Sequence, residues 1–224
     1  MPLNSTSLTS PPAPVLMEHC CRKPWETYLE PLKMAPGVWY VSGNDWVGCY
    51  LIDTGDGLIL IDTAMHETAY LMIENIHKLG YKLTDIKKIL LSHAHIDHIG
   101  AARTMKELTG AKIYLGERDL PFLHERRDLI LNDGGYTCGE FEPDELYADD
   151  RPIVQGNVTI RTVSTPGHTP GCTSFFFDVQ DEKGKTFRCG MHGGLGLLWN
   201  TKKQFAEIGL PFSLMEEFVE GLKK

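Results

Sequence analysis

A short stretch of the chain concentrates residues of the types that bind metal ions. It contains His93, His95, Asp97 and His98, directly after the apolar run Ile89–Leu91. Imidazole nitrogens and carboxylate oxygens are the ligands that zinc, iron and manganese accept. Alternate spacing lets His93 and His95 converge on one ion, while the other two side chains point elsewhere, which suits a second ion nearby. A histidine-rich surface turn is the alternative, but such turns seldom follow an apolar strand.

A buried strand must position this stretch. Residues 87–91 are two lysines followed by three aliphatic residues, a pattern typical of a short strand that is buried on both faces. Open α/β sheets place their functional sites beyond the carboxyl ends of such strands. We therefore expect residues 92–98 to form a turn at that edge of a sheet.

A further histidine turn lies 70 residues after His98. His168 is the centre of Thr165–Gly171, which reads Thr-Pro-Gly-His-Thr-Pro-Gly and follows the alternating strand pattern of Val158–Val163. Its prolines and glycines fix the backbone of the turn, which would hold a ligand steady. A lone histidine is more often structural, but this setting favours a metal ligand.

These two motifs together resemble the metallo-β-lactamase-fold hydrolases. The first is His-x-His-x-Asp-His at residues 93–98, and the second is the turn around His168. Asn44–Thr63 resembles the opening strand pair of that family, and the likeness covers about residues 35–200. The Gly-Ala-Ala that begins the next helix is most similar to the third, dizinc subclass of metallo-β-lactamases, which has a serine at the bridging position, and to its unassigned relatives.

The resemblance implies an α/β fold, namely a four-layer αββα sandwich. Alternating strand and helix patterns agree with helices outside a sheet. We expect residues 1–24 to form a flexible N-terminal arm and residues 25–224 to form the hydrolase domain. The pattern also predicts a helix over residues 117–131. The acidic stretch 132–151 is interpreted as a lid or binding loop, with disordered surface as the alternative.

The chain departs from the family pattern after the strand predicted at residues 186–189. Most relatives place a metal-bridging aspartate there, but this sequence reads Gly-Met-His-Gly-Gly, with His192 at its centre. The last ligand of the family is a histidine after one more helix and strand, and no histidine follows His192. Either His192 takes that place or the chain ends before the usual ligand. We expect the second, with the last strand or strands of the sandwich missing. For His192 three roles stay open: a further ligand of the second metal ion, a substrate contact or a bystander.

The resemblance assigns roles to the ligand residues. His93, His95 and His168 hold one zinc ion with water in the fourth position. Asp97 and His98 begin a second site, so we expect one or two zinc ions, or another divalent metal, per chain. Zinc lowers the pKa of bound water to about 7, which gives a hydroxide that attacks a carbonyl.

Two aspartates have further expected roles. Asp97 is the candidate catalytic residue, since it could orient the hydroxide or carry a proton to the leaving group. Asp62 ends a predicted strand near the ligand turn. It is expected to support a ligating histidine from behind, and capping a helix N-terminus is the alternative.

The predicted activity is zinc-dependent hydrolysis of a small substrate, either a β-lactam-like amide, a lactone or an ester. One alternative is a glyoxalase-type thioesterase or lactonase. Another is an inactive metal-binding fragment of such a hydrolase, because the second metal site is incomplete. Substrate choice depends on loops that the motifs do not determine.

Composition limits the kinds of protein and of partner that the sequence allows. The 224 residues are 42% hydrophobic, which allows one sizeable core without disulfides. A net charge of −8 without a basic cluster argues against a nucleic-acid partner, and six scattered cysteines do not form a disulfide framework. Residues 1–14 lack a signal-peptide pattern, and no apolar stretch is long enough for a membrane span. We therefore expect a cytoplasmic protein without a membrane partner, in an undetermined oligomeric state.

Overall fold

The computed structural model describes residues 23–130 and 135–224. The arm predicted for residues 1–24 lies almost entirely outside these ranges, as does the start of the acidic stretch. Within the described ranges no helix is both long and apolar enough to cross a bilayer. The four cysteines found there are free thiols, as the scattered spacing predicts.

Two sheets form the framework. The first has seven strands in sequence order, antiparallel from β1 to β4 and parallel from β4 to β7. Its strands are β1 Leu32–Ala35, β2 Val38–Tyr40, β3 Tyr50–Asp53, β4 Leu58–Ile61, β5 Ile86–Leu90, β6 Lys112–Leu115 and β7 Glu145–Leu146. The second is antiparallel in the order β11-β10-β9-β8. Its strands are β8 Ile153–Gln155, β9 Val158–Ser164, β10 Thr173–Gln180 and β11 Thr186–Met191.

Six α-helices accompany the sheets in the described ranges. They are α1 Ala69–Lys78, α2 Ile96–Ile99, α3 Ala102–Thr109, α4 Leu120–His124, α5 Lys202–Glu207 and α6 Leu214–Gly221. Short 3₁₀ turns lie at His66–Thr68, Leu83–Asp85, Glu117–Asp119 and Arg127–Ile130. The apolar residues of α1 recur at helical spacing and are buried, which explains why this segment is an amphipathic helix against the sheet.

The first sheet is buried on both faces at its centre. All four residues of β4 are buried, as expected for an aliphatic strand between two apolar layers. Alternate residues such as Leu58 and Leu60 pack with the helices. The intervening Ile59 and Ile61 pack with Phe175 and its neighbours on the second sheet. The predicted α/β class and the packing of two sheets against each other are confirmed.

The continuous helix predicted over residues 117–131 is wrong. The segment is divided into a 3₁₀ turn, the five-residue helix α4 and a second 3₁₀ turn. Pro121 lies in the first turn of α4, where a residue without an N–H is tolerated, so a new helix begins there. The Arg127 guanidinium donates to the carbonyl of Leu123, 3.1 Å away, which satisfies a carbonyl near the carboxyl end of α4.

Part of the acidic stretch 132–151 is attached to the first sheet. Its strand β7 pairs with β6 in parallel. The Asp144 carboxylate accepts the Ile113 N–H at 2.8 Å and the Lys106 ammonium at 2.7 Å. These contacts place residues 144–146 in the edge of the sheet instead of in a free loop.

The core between the sheets generates a stability prediction. Phe175 is completely buried between them, whereas Leu108 on α3 is 46% exposed. Phe175→Ala should lower the free energy of unfolding by about 3–5 kcal/mol, because the buried ring leaves a cavity. The matched exposed change, Leu108→Ala, should stay within about 0.5 kcal/mol. Urea denaturation followed by circular dichroism measures both, and equal losses would contradict this packing.

Candidate metal centre

The histidine turn lies where β5 ends. Hydrogen bonds from Asp62 N to Leu90 O and from Thr173 N to Ser92 O, both 2.9 Å, tie this point to β4 and to the second sheet. His93 and His95 are buried in the turn that follows. His95 then precedes the first residue of the one-turn helix α2. The predicted turn at the carboxyl edge of the sheet is therefore present.

Helix α2 presents the other two predicted ligands. It contains Asp97 and His98, and the N–H of His98 donates to His95 O at 2.9 Å. His98 Nε2 lies 3.4 Å from Asp97 Oδ2. The backbone changes from extended at His95 to helical at Ile96. This change explains how four ligand-type side chains within six residues reach two adjoining positions.

The second turn brings His168 to the same place. The ring centroid of His168 is 4.6 Å from those of His93 and His95, and His168 Nε2 is 3.0 Å from His95 Nδ1. Gly167 has a φ of 139°, and a Cβ there would lie 2.4 Å from the Phe218 side chain of α6. Only glycine fits this backbone position, so the turn depends on it.

The side chains form two groups with metal-ligand geometry. Within each group, one ligand atom per residue lies within 4.8 Å of the others. The first group is His93, His95 and His168, and the second is His93, Asp97 and His98. The structure thus brings together all five residues predicted as ligands. It also shows that His93 adjoins both positions, although the motif spacing predicts it in the first position alone.

Two imidazole nitrogens without a hydrogen-bond partner indicate that a metal ion fits here. Among the described residues, His93 Nε2 and His95 Nε2 are buried and have no hydrogen-bond partner. Burying such atoms without a partner is costly. Burial, reinforced by the neighbouring imidazoles, holds the pKa values of His93 and His95 well below the usual histidine range. Both rings are therefore neutral, which is the form that coordinates a metal.

In the second group, opposite charges shift the pKa values of Asp97 and His98. Burial would raise the pKa of Asp97, but the adjacent His98 and the Trp46 indole outweigh it and lower that pKa, so the side chain is a carboxylate. Burial would lower the pKa of His98, but Asp97 and Asp62 outweigh it and raise the value. The negative charge of Asp97 suits a site for a cation.

Asp62 lies behind the ligands. Its buried carboxylate accepts the Ser92 N–H at 2.7 Å and the Ser92 hydroxyl at 2.8 Å, and Oδ2 lies 2.8 Å from His98 Nδ1. The alternative of a helix cap does not apply, because the next helical turn begins at His66 with Met65 as its N-cap. The contact with His98 agrees with a supporting role for Asp62.

His192 belongs to neither group of ligand atoms. Its Nδ1 accepts the Gly194 N–H at 3.1 Å, and its buried Nε2 has no partner among the described residues. The glycine-rich segment that follows packs against the imidazole ring of His168. The His168 Nδ1 atom lies 2.5 Å from Gly196 O. The structure thus places His192 beside the site without joining it to the other ligand-type residues.

Sequence reasoning missed two residues that contact the site. The Trp46 indole N–H donates to Asp97 Oδ2 at 2.8 Å; Trp46 comes from the connection between β2 and β3, and no motif marks it. Asp119 is completely buried and accepts hydrogen bonds from both histidine turns. Burial raises the pKa of Asp119 to about 6, against the opposing effect of those donors. Its position soon after β6, at the same sheet edge as His93, is the signal that could have found it.

Comparisons with known proteins identify the family. The sequence model of the metallo-beta-lactamase superfamily matches residues 47–181. An uncharacterized protein of Bacillus subtilis, YobT, is 29% identical, over 71% of this chain and 69% of its own length. The N-acyl homoserine lactonase AttM of Agrobacterium fabrum is 30% identical over 50% of this chain and 43% of its own. Hydroxyacylglutathione hydrolase GloC of Haemophilus influenzae is 30% identical, over 56% of this chain and 58% of its own length. The chain thus aligns with about half the length of the latter two.

Solved structures give the same result. The metallo-beta-lactamase GOB-18 of Elizabethkingia meningoseptica superposes with a TM-score of 0.78 and 32% identity, over 90% of this chain and 74% of that chain. BJP-1 of Bradyrhizobium japonicum, a subclass B3 enzyme, gives a TM-score of 0.74 and 30% identity, over 90% and 75%. The predicted resemblance to the third subclass is confirmed by such neighbours. The relatives described above with a named activity are hydrolases. Because the family match covers more than half of its length, this chain belongs to the metallo-beta-lactamase superfamily.

Proposed function

We propose that this chain is a zinc-dependent hydrolase acting on a carbonyl of a small substrate, such as a β-lactam-like amide, a lactone or an ester. The pair of ligand groups around His93 carries this proposal, since two of its buried imidazoles have nitrogens without a partner. Further support comes from relatives named as a lactonase and a hydroxyacylglutathione hydrolase, and from neighbours that are metallo-beta-lactamases.

Each ion would have its own set of residues. His93, His95 and His168 would hold the first ion, and Asp97 and His98, adjoined by His93, would hold the second. Zinc at such a site polarises a carbonyl oxygen and makes water acidic enough to act as a nucleophile at neutral pH. The chain supplies the positioning and the proton transfer.

Asp97 is the group placed to move a proton. It is ionised, and its Oδ2 is held by the Trp46 N–H at 2.8 Å. That hydrogen bond fixes the rotation of the carboxylate, which a general base requires. Asp97 would take a proton from the attacking water and deliver it to the leaving group.

His98 is oriented from behind. Because its Nδ1 is engaged by Asp62 at 2.8 Å, Nε2 is the nitrogen that His98 can offer to a ligand position. Ser92 connects the same carboxylate to the strand end through its N–H and its hydroxyl. This arrangement is the carboxylate support that ligating histidines commonly have.

A glyoxalase-type thioesterase or lactonase is the second candidate. The relatives GloC and AttM, each 30% identical, favour it. The same residues would serve, because thioester, lactone and amide hydrolysis all begin with attack on a carbonyl. Initial rates with a penicillin, an acylated lactone and an acylglutathione separate these substrate classes.

The metal assignment predicts the behaviour of a ligand variant. The purified protein should contain zinc, and His95→Ala should lose most of it, because one of three converging imidazoles is removed. His124→Ala is the matched control, since His124 is an exposed histidine beside Glu142 and outside both ligand groups. Elemental analysis gives the zinc content, and circular dichroism confirms folding. Full zinc content in a folded His95→Ala protein would overturn the assignment.

The role of Asp97 predicts a kinetic effect. Asp97→Asn keeps the shape of the side chain but removes its charge and basicity. With the most active substrate of the panel, kcat should fall by roughly two to four orders of magnitude. Asp178→Asn, an exposed aspartate paired with Arg188 on β11, should leave kcat unchanged. An unchanged kcat in Asp97→Asn would assign proton transfer to another residue.

A further inference from the structure

Asp119 joins the two histidine turns. Its Oδ2 accepts the Ala94 N–H at 2.9 Å and the Thr169 hydroxyl at 2.8 Å, and its Oδ1 accepts the Gly171 N–H at 2.6 Å. Ala94 lies between His93 and His95, and Thr169 follows His168 directly. One carboxylate is therefore bonded within one residue of all three side chains proposed to hold the first ion.

The Asp119 side chain does not cap the helix that it precedes. Asp119 is the N-cap residue of α4, where aspartate commonly accepts an N–H from the first turn of its own helix. No such side-chain hydrogen bond is present here. Three donors from the turns around His95 and His168 engage the carboxylate instead.

Close packing fixes the distance between the turns. A Cβ at Gly171 would lie 2.7 Å from Asp119 Cγ, so the turn that carries His168 rests directly on this carboxylate. Asp119 is also completely buried, and water therefore does not replace its hydrogen bonds. A change at this carboxylate would be transmitted to the turn backbones.

From these contacts we propose that Asp119 is a positioning residue that sets the separation of the His93–His95 turn from the His168 turn, and with it the affinity of the first metal position. The inference rests on the proposed metal site. The hydrogen bonds of Asp119 described above are to the two turns and not to a ligand ring, so Asp119 acts through those turns. It is therefore distinct from Asp62, which contacts the His98 ring.

Asp119→Asn tests the proposal in the full chain. An amide offers one oxygen where the carboxylate offers two, so at least one of the three donors loses its acceptor. Zinc affinity, measured by competition with a chromophoric chelator, should weaken by roughly 10- to 100-fold. The visible absorption of the cobalt-substituted protein should also change, because the ligand geometry relaxes.

Asp144→Asn is the matched control. Asp144 also accepts a backbone N–H, from Ile113, but it contacts neither histidine turn. This variant should lose stability while keeping the zinc affinity and cobalt spectrum of the unmodified chain. A purely structural role for Asp119 would make the two variants alike.

The outcomes separate this inference from the proposed function. Zinc affinity and a cobalt spectrum in folded Asp119→Asn that match those of the unmodified chain would overturn the role of Asp119 alone. Absence of zinc binding by the unmodified chain would overturn the metal site and this inference together. If Asp119→Asn does not fold, Thr169→Val decides the question, because it removes one donor and retains the carboxylate. It should weaken zinc binding to a smaller extent, and unchanged affinity would refute the proposal.

Discussion

The close packing of His93, His95 and His168 is the constraint on which the rest of the structure depends. Their ring centroids lie 4.6–4.7 Å apart, at the junction of the two sheets. Burial with unpartnered nitrogens is unfavourable unless a cation completes the group. The surrounding contacts must therefore hold the rings together against that cost, and those contacts extend from Asp62 on one side to Asp119 on the other.

The apolar core supplies the rigidity that such a site requires. Strand β4 is fully buried and β5 is buried at Ile86, Ile89 and Leu90. These strands lead into the ligand turns, and the second sheet packs across them through Phe175. The site also stores strain, since Asp62 and Ala64 have positive φ values of 58° and 56°. Conformations of this kind persist where surrounding structure over-determines them, and they cluster at functional sites.

Local patterns predicted the parts of the structure that depend on local sequence. The aliphatic runs at β4 and β5 predicted these two strands. The motif spacing predicted the turns at residues 92–98 and around His168. Local patterns did not reveal what Asp119 and Trp46 contact, because these contacts join residues 25 to 52 positions apart in the chain. The division of the segment at residues 117–131 has a local cause instead, because Pro121 in the first turn of α4 begins a new helix there.

The central claim is that one metal ion is held jointly by the histidine turn and His168. Anomalous diffraction on both sides of the zinc K edge, from crystals of the zinc-loaded chain, tests this most directly. We expect an anomalous peak on the high-energy side of the edge only, within bonding distance of His93, His95 and His168. A zinc-loaded crystal with no peak between these three rings, or with zinc at other side chains only, would contradict it.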